Sequence, residues 1–347
     1  ERGKEVSIQK KIKLGVVGAT GMVGQAFMTL LEERNFPLEE LRPFASENSV
    51  GKKIHVQGKD WSCQALIAGC FNGLDLVFFS SGDAISEVWA PQAVKSGAFA
   101  IDNSAAFRMK KDIELLVPEV NGERVGSHSK PQIIANPNCS TIQLVMALKP
   151  LMDDFGIEDV KVSTYQAVSG AGQPGHDELF KQMDNHKNGN PVPEVFPHPI
   201  LFNVIPQIGA FNEQGYCSEE VKIMSETRKI LQEPGLKISA FTVRVPALNS
   251  HSETVWVTLK KDIKKDSFVA SLRQFPGLVV LDDPDPSIYP TPRDVSGKDP
   301  VYVGRIHRDL DDPRLWLMWI VSDNLKKGAA LNGLQIAERI FDITARS

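Results

Sequence analysis

What this chain lacks narrows its class before any motif is read. No apolar run among its 347 residues approaches the roughly 20 residues of a bilayer-spanning helix. The four cysteines, Cys63, Cys70, Cys139 and Cys217, are scattered, with no CxxC pair and no two histidines at zinc spacing. That argues against a disulfide scaffold and against a bound metal, and it favours a reducing compartment. A net charge of −4 leaves no basic footprint for nucleic acid. Repeats and low-complexity segments are absent. The start, Glu1 to Lys13, is charged rather than signal-like, and reads as a native tail or a cloning remnant. The expected home is the cytoplasm; a trimmed organellar precursor would leave the same sequence.

What is present is an ordinary globular composition, 42% hydrophobic and 24% charged, in a chain too long for one comfortable core. Two domains are therefore expected. Ile12 to Gly18, Leu41 to Ser46, Leu74 to Ser80, Ala98 to Asp102 and the run from Ile133 are short apolar stretches ending in small or polar residues. Helical spacing fills Met22 to Arg34 and Asp83 to Gly97. Nearly all-apolar strands alternating with helices predict an α/β, doubly wound (Rossmann-type) parallel sheet. From Val160 onward the strands alternate apolar and polar residues, as in Ala240 to Val245 and Glu253 to Leu259. This suits an α+β domain with a largely antiparallel sheet. Asn185 to Pro206 carries Pro191, Pro193, Pro197, Pro199 and Pro206 among aliphatics and aromatics, so it reads as an irregular excursion and not a linker. The broad apolar face of Gly328 to Ile343 predicts a C-terminal helix docked on the nucleotide domain. The expected domains are 1–137, completed by 328–347, and 138–327.

Gly18-Ala-Thr20-Gly21-Met22-Val23-Gly24 joins the first strand to the first helix. Glycines there permit a tight turn and close backbone approach to a pyrophosphate seated on a helix N-terminus. The spacing is GxxGxxG instead of GxGxxG, so placement carries more weight than the string. After the second strand, Ser46 and Ser49 with Lys52 and Lys53 suit a 2′-phosphate, whereas Glu47 suits a free ribose hydroxyl. The choice between NADP and NAD stays open on these residues.

Cys139 lies where the apolar strand from Ile133 turns into an amphipathic helix. Unpaired N–H groups at the helix start would favour its thiolate and hydrogen-bond an oxyanion, as covalent acyl chemistry requires. A small buried hydrophobe is the alternative. His251, one of seven histidines, is a candidate acid/base. Arg244 offers a planar fork for a carboxylate, and Gln166, after an apolar strand, offers a neutral amide for a carbonyl or water. Arg108 and Lys222 are separate cations that would suit an anionic substrate.

Taken together, Gly18 to Gly24, Asn103 to Arg108, Pro118 to Asn121, Asn136 to Thr141, Tyr165 to Gly172, Glu219 to Lys222, Arg244 to His251 and Asp323 to Ala330 occur in an order that resembles the aspartate-β-semialdehyde dehydrogenase family. The resemblance runs from residue 12 or so to the C-terminus. It implies reversible reductive dephosphorylation of β-aspartyl phosphate with NADPH, in synthesis of lysine, methionine, threonine and diaminopimelate. Cys139 would form the thioester, His251 would be the acid/base and Gln166 would position the acyl group. The resemblance gives Arg244 the substrate carboxylate, Glu219 the ammonium, Arg108 and Lys222 the phosphate, with Asn138 beside them. It places Asn324 near the nicotinamide amide, with Ser80, Ser81, Ser169 and Gly170 as further cofactor contacts. A homodimer or homotetramer is implied, and the exposed-looking aromatic strand around Trp316 and Trp319 agrees. Two departures stand out. Glu47-Asn48 stand in the second-strand loop where NADP-preferring members often carry a basic residue, and Ser250 replaces a frequent glycine, a minor change if its side chain faces outward. N-acetyl-γ-glutamyl-phosphate reductase is the nearest alternative, but it has glycine at the position of Asn138 and needs no carboxylate for a free ammonium. A glyceraldehyde-3-phosphate-type enzyme would carry Ser-Cys-Thr-Thr. A non-catalytic paralogue would have lost some of these side chains.

Overall fold

The computed structural model describes residues 10–188, 192–283 and 287–344. Most of the charged start, up to residue 9, and the end of the C-terminal segment, 345–347, lie outside the described residues, as do 189–191 of the proline-rich excursion. The chain forms two compact units, Glu1–Glu114 with Gly122–Asn136 and Gly333–Ser347, and Leu115–Asn121 with Pro137–Asn332.

In the first unit β1 (Ile12–Val17) leads into α1 (Met22–Glu33), β2 (Leu38–Phe44), β3 (Lys53–Val56), β4 (Lys59–Ser62), β5 (Leu76–Phe79), α2 (Asp83–Lys95) and β6 (Phe99–Asp102). After β7 (Glu114–Leu115) and α3 (Pro118–Asn121), β8 (Ile133–Ala135) completes a sheet ordered β2-β1-β5-β6-β8-β7. The ladders from β2 through β8 are parallel. Both faces of the central strands are buried, which is why they read as continuous apolar runs. Phe27 of α1 stacks on Phe78 of β5 with ring centroids 4.1 Å apart. The β3–β4 hairpin was not expected. Its turn places Gln57 and Gly58 at φ 49° and 72°, a two-residue turn with left-handed backbone. Gln57 lacks the usual Asn or Asp signal.

In the second unit α4 (Cys139–Phe155) is followed by β9 (Ile157–Gln166), α5 (Gly172–Asn185), α6 (Ser218–Leu231), β10 (Lys237–Arg244), β11 (His251–Leu259) and α7 (Lys265–Gln274). Then come β12 (Leu278–Val280), α8 (Pro292–Val295), β13 (Val301–Arg308) and β14 (Leu315–Ser322), in a sheet ordered β10-β9-β11-β14-β13-β12. The outer pairs are parallel and the central ladders antiparallel. Residues of the excursion after α5 are packed, with Phe196, Ile200 and Ile205 buried against Val168 and Leu179. That is why its aliphatics and aromatics are there.

Three expectations need correction. Leu115–Asn121, placed by sequence in the first domain, belongs to the second unit, where Lys327 pairs with Glu119 at 2.7 Å and Asn332 Nδ2 donates to the Leu116 carbonyl at 2.9 Å. The C-terminal helix is not uniform. Lys326–Ala330 form a π-helical turn before α9 (Leu331–Ile340). The Asp323 carboxylate accepts the N–H groups of Leu325 and Lys326 at 2.8 and 3.0 Å, anchoring the wide turn. From Gly333, α9 belongs to the first unit; a Cβ at Gly333 would come within 2.5 Å of the Phe78 ring, and Arg34 clamps Glu338 through two nitrogens at 2.7 and 2.8 Å. Lastly, Trp316 and Trp319 do not share a face. Trp316 is buried, stacked on Phe268 at 4.7 Å, while Trp319 lies against Tyr165 at 5.6 Å. Three residues apart on a strand means opposite faces. Among the described residues no helix is long and apolar enough to cross a membrane.

Candidate active site

The first unit contributes a site made of backbone. Gly18 has φ 85°, and a Cβ there would meet the hydroxyls of Ser81 and Ser80 at 2.6 and 2.8 Å. At Gly24 a Cβ would come within 2.2 Å of the Gly18 carbonyl oxygen. These two glycines are consumed by the turn itself. Gly21, the N-cap of α1, would meet only the Gly18 carbonyl, at 3.4 Å, and no side chain caps the helix. The helix start with Thr20, Gly21, Met22 and Val23 is thus open to an anion, a fit to a dinucleotide pyrophosphate. The Ser80 hydroxyl donates to the Val17 carbonyl at 3.0 Å, so it supports the turn from behind. Beside the turn is a cavity of about 310 Å³ whose lining includes Thr20, Lys52 and Lys53. Ser46 precedes a short 3₁₀ turn over Glu47–Ser49 and makes no side-chain cap bond to it.

Arg108 is also in the first unit, buried, with Nε donating to the Asn136 carbonyl and Nη2 to that of Asn103, both at 2.9 Å. Asp102, at the end of β6, accepts from the hydroxyls of Ser86 and Ser104 at 2.6 and 2.7 Å. Burial pushes its carboxyl up, against those bonds and the Arg108 charge.

The second unit gathers its polar residues by topology. Gln166 ends β9 and Arg244 ends β10, paired in parallel register; His251 begins β11 opposite Ser322, the end of β14. Because β11 runs against β9 and β14, all four positions reach the same end of the sheet. On the helix-covered face there, Cys139 opens α4.

Asn138 is the N-cap of α4, gripped on every side. Its Oδ1 accepts the N–H groups of Ser140 and Thr141 at 2.9 and 3.4 Å, and its Nδ2 donates to Glu219 at 2.8 Å. Its own N–H donates to Glu226 at 2.7 Å. The expectation that early α4 N–H groups remain for an oxyanion is therefore narrowed: the capping amide takes those of Ser140 and Thr141. Glu226, buried on α6, is a residue the sequence reading missed. It lies two turns beyond Glu219 in an apolar-and-acidic helix, where a periodic acidic pair is the only available signal.

Glu219 is the hub. Besides Asn138 it accepts from Gln166 Nε2 at 3.1 Å, and Lys222 Nζ lies 3.6 Å from its other oxygen. Burial alone would raise its carboxyl, but Lys222, the two amide donors and the Arg244 charge together bring it below its ordinary value. The Gln166 amide is also held by Thr164, whose hydroxyl donates to its Oε1 at 3.0 Å. Arg244 Nη1 donates to the Ala167 carbonyl at 2.7 Å. Burial lowers its guanidinium pKa, opposed by the charges of Glu219 and Cys139.

His251 is fully buried, and burial followed by the Arg244 charge pushes it well below its ordinary value, with only the Ser250 backbone opposing. Asn324 Oδ1 accepts the Ser250 N–H at 2.8 Å, and the Ser169 hydroxyl lies 3.0 Å from its Nδ2. Ser250 does not face outward. It is buried at φ 71°, and its hydroxyl finds no partner among the described residues. The left-handed backbone explains the frequent glycine, and serine there costs about 1 kcal/mol. Two glycines border the cleft: a Cβ at Gly170 would meet Arg244 Nη1 at 2.6 Å and His251 Nε2 at 3.1 Å, and one at Gly328, in the π turn, would meet Cys139 Cβ at 2.9 Å. No group of three or more His, Cys, Asp or Glu among the described residues could hold a metal.

A glycine-turn dinucleotide site on a parallel sheet and a cysteine at a polar sheet end suit a nicotinamide-dependent oxidoreductase. Residues 13–128 match the family model "Semialdehyde dehydrogenase, NAD binding domain" and 148–327 match "Semialdehyde dehydrogenase, dimerisation domain". The aspartate-semialdehyde dehydrogenase of Aquifex aeolicus is 47% identical over 94% of this chain and 97% of its own length. The crystal structure of aspartate semialdehyde dehydrogenase II from Vibrio cholerae, complexed with ASA, superimposes with a TM-score of 0.92 at 41% identity, covering 96% of this chain and 99% of that one. The Candida albicans aspartate semialdehyde dehydrogenase solved with NADP gives a TM-score of 0.74 at 28% identity, over 96% and 100% of the two chains. The chain belongs to the aspartate-semialdehyde dehydrogenase family.

Proposed function

We propose that the protein reduces β-aspartyl phosphate to aspartate semialdehyde, reversibly and with NADPH, through a thioester on Cys139. The observation that carries this is the cluster of buried Glu219 and Arg244 with half-buried Lys222 at the sheet end beside Cys139. A substrate with both a carboxylate and an ammonium needs a guanidinium and a carboxylate close together, which Arg244 and Glu219 supply. An acylated substrate has no ammonium to bring to Glu219.

In this reading Cys139 attacks the acyl phosphate, and Arg244 holds the α-carboxylate. Glu219 receives the ammonium, with Gln166 and Asn138 fixing its carboxylate. Lys222, and Arg108 from the first unit, neutralise the phosphate that leaves. The dinucleotide, when bound, supplies hydride to the thioester; Gly18 to Gly24, Ser46, Ser49, Ser80 and Ser81 in the first unit and Ser169, Gly170 and Asn324 in the second are the residues assigned to it. Lys52 and Lys53 beside Thr20 support NADP over NAD. The purified enzyme is expected to reduce NADP with aspartate semialdehyde only when phosphate or arsenate is present, and not with N-acetylglutamate semialdehyde. Cys139→Ala should lower that rate by about 10⁴-fold or more. Phosphate-independent turnover, or activity surviving the substitution, overturns the thioester route.

The dimerisation-domain match supports a homodimer. We assign the contact to the sheet face with a cavity of about 380 Å³ lined in part by Thr254, Arg305, Leu317 and Trp319. Sedimentation of the purified protein distinguishes dimer from tetramer, and the reading places the enzyme in the cytoplasm.

A further inference from the structure

We propose that Lys327 and Glu119 are positioning residues for the nucleophile: their buried ion pair holds the π turn over Lys326–Ala330, so that the Gly328 backbone packs on the Cys139 side chain and aims its thiol. The effect on turnover rests on the thioester reading above; the packing does not. A Cβ built on Gly328 would meet Cys139 Cβ at 2.9 Å and Cys139 Cα at 3.4 Å. Main chain of the π turn therefore lies directly against the cysteine. Gly328 is not among the residues of positive φ, so no backbone angle demands a glycine there. It is there for room, and Cys139 takes the room.

The turn is unusual in itself. The Gly328 N–H donates to the Asp323 carbonyl and the Ala330 N–H to that of Leu325, both at 3.0 Å, the spacing of a π-helix. Such turns are rare, and something outside this one must hold it open. While Gly328 faces Cys139, its neighbour Lys327 points elsewhere. Lys327 Nζ reaches Glu119 Oε2 at 2.7 Å and Asn332 Oδ1 at 3.0 Å, with 2% of the lysine side chain exposed. A buried ammonium is tolerated only when paired and hydrogen-bonded, so the lysine is bound to these acceptors. Glu119 is fixed in turn. Its other oxygen lies beside Gly277, where a Cβ would come within 3.4 Å. Asn332 Nδ2 ties the same segment down through the Leu116 carbonyl at 2.9 Å. Asn121 closes the stretch around α3, accepting the Val117 N–H and donating to the Leu115 carbonyl, both at 2.9 Å.

This gives Leu115–Asn121 a reason to pack with the second unit: it delivers a carboxylate to a lysine 208 positions later. The pair acts on the nucleophile through Gly328. Cys139 opens α4 and is only partly buried, so its thiol has more than one staggered direction available. The Gly328 wall removes one of them. Relaxation of the π turn toward α-helical bonding would rotate Gly328 off the cysteine and restore that freedom.

Iodoacetamide modification of Cys139 in the full chain, quantified on the Cys139 peptide by mass spectrometry, reads the thiol without substrate or cofactor. Lys327→Met combined with Glu119→Met removes both charges together, a replacement that buried ion pairs commonly tolerate. A pair that serves stability alone would be fully replaced by two packed methionines. The expected result is a melting point close to the parent's with a modification rate at least about fivefold lower. Gly328→Ala pushes turn and cysteine apart directly and should repeat the loss. In turnover with aspartate semialdehyde, phosphate and NADP, the double variant should lose about tenfold in kcat with KM nearly unchanged. A parental modification rate in the double variant or in Gly328→Ala overturns the proposal, as does a raised KM with parental kcat. Should the double variant not fold, Glu119→Gln, which keeps an acceptor for the lysine but no charge, is read in the same way. A wrong substrate assignment would fail the turnover assay in the parent as well and leave the modification rates to decide.

Discussion

The turn between β1 and α1 and the sheet end around Cys139 are built from different material. The first is backbone: Gly18 and Gly24 exist to let main chain approach main chain, and Gly21 leaves the helix start bare. The second is side chain: Glu219 alone receives Asn138, Gln166 and the charge of Lys222, drawn from three separate elements. A backbone site needs no buried charge and tolerates almost any ligand that presents a pyrophosphate. A side-chain site can recognise a particular substrate, but it must bury polar groups to do so. Beneath Cys139 this cost is visible. Both oxygens of fully buried Glu253 and both amide atoms of Gln143 lack a hydrogen bond among the described residues, although Gln143 lies close enough to act on the carboxyl.

The largest test of this contrast is Gly24→Ala. The added Cβ would meet backbone, the Gly18 carbonyl, at 2.2 Å, so nothing flexible can yield. The expected cost is about 1–3 kcal/mol of stability and at least about tenfold in NADP affinity, read by thermal melting and by titration. An unchanged melting point together with unchanged affinity would break the comparison. In the second unit Gly170→Ala meets the far end of a movable side chain, Arg244 Nη1, at 2.6 Å. Folding should hold, while KM for the semialdehyde rises about tenfold as the guanidinium is displaced; steady-state kinetics with a melting curve separates the two. A falling melting point with normal KM would mean that this glycine too serves the backbone.

The smallest effect is the most specific. Burial raises the Glu253 carboxyl well above its usual 4.5, against the opposing pull of Gln143. Above that ordinary value the unfolded chain releases the proton while the folded protein keeps it, so native stability falls as pH rises toward the folded value. Glu253→Gln removes the difference. The variant should match the parent in mild acid and exceed it by about 1 kcal/mol near neutral pH, followed by melting at several pH values. A stabilisation independent of pH would show that the carboxyl is ionised in place.

The two regions also differ in how they announce themselves. Gly18 to Gly24 is contiguous, and its position between an apolar strand and an amphipathic helix is a local pattern. The apolar runs of β1, β5 and β6 are equally plain, because strands buried on both faces need no alternation. Alternation in β9, β10 and β11 likewise marks a sheet with unlike faces. What local pattern misses is whatever depends on which face or which end is used. Trp316 and Trp319 read as one exposed aromatic strand, yet the strand period sends them to opposite sides. Ser250 reads as tolerable until its backbone angle is known. Leu115–Asn121 follows the first unit in sequence and packs with the second because Glu119 and Leu116 find partners near α9.

Sequence by itself determined the two sheets, the dinucleotide turn and the reactive-looking cysteine, all of which rest on near-neighbour periodicity and spacing. Tertiary structure alone decided that Asn138 takes the Ser140 and Thr141 N–H groups with its own side chain. It also decided that Glu226 steadies that residue, and that the Ala167 N–H reaches His251 Nδ1. The physical reason is the same each time. A hydrogen bond is a matter of angstroms between atoms that may stand 80 or more positions apart, as Ala167 and His251 do, and no local period encodes that distance.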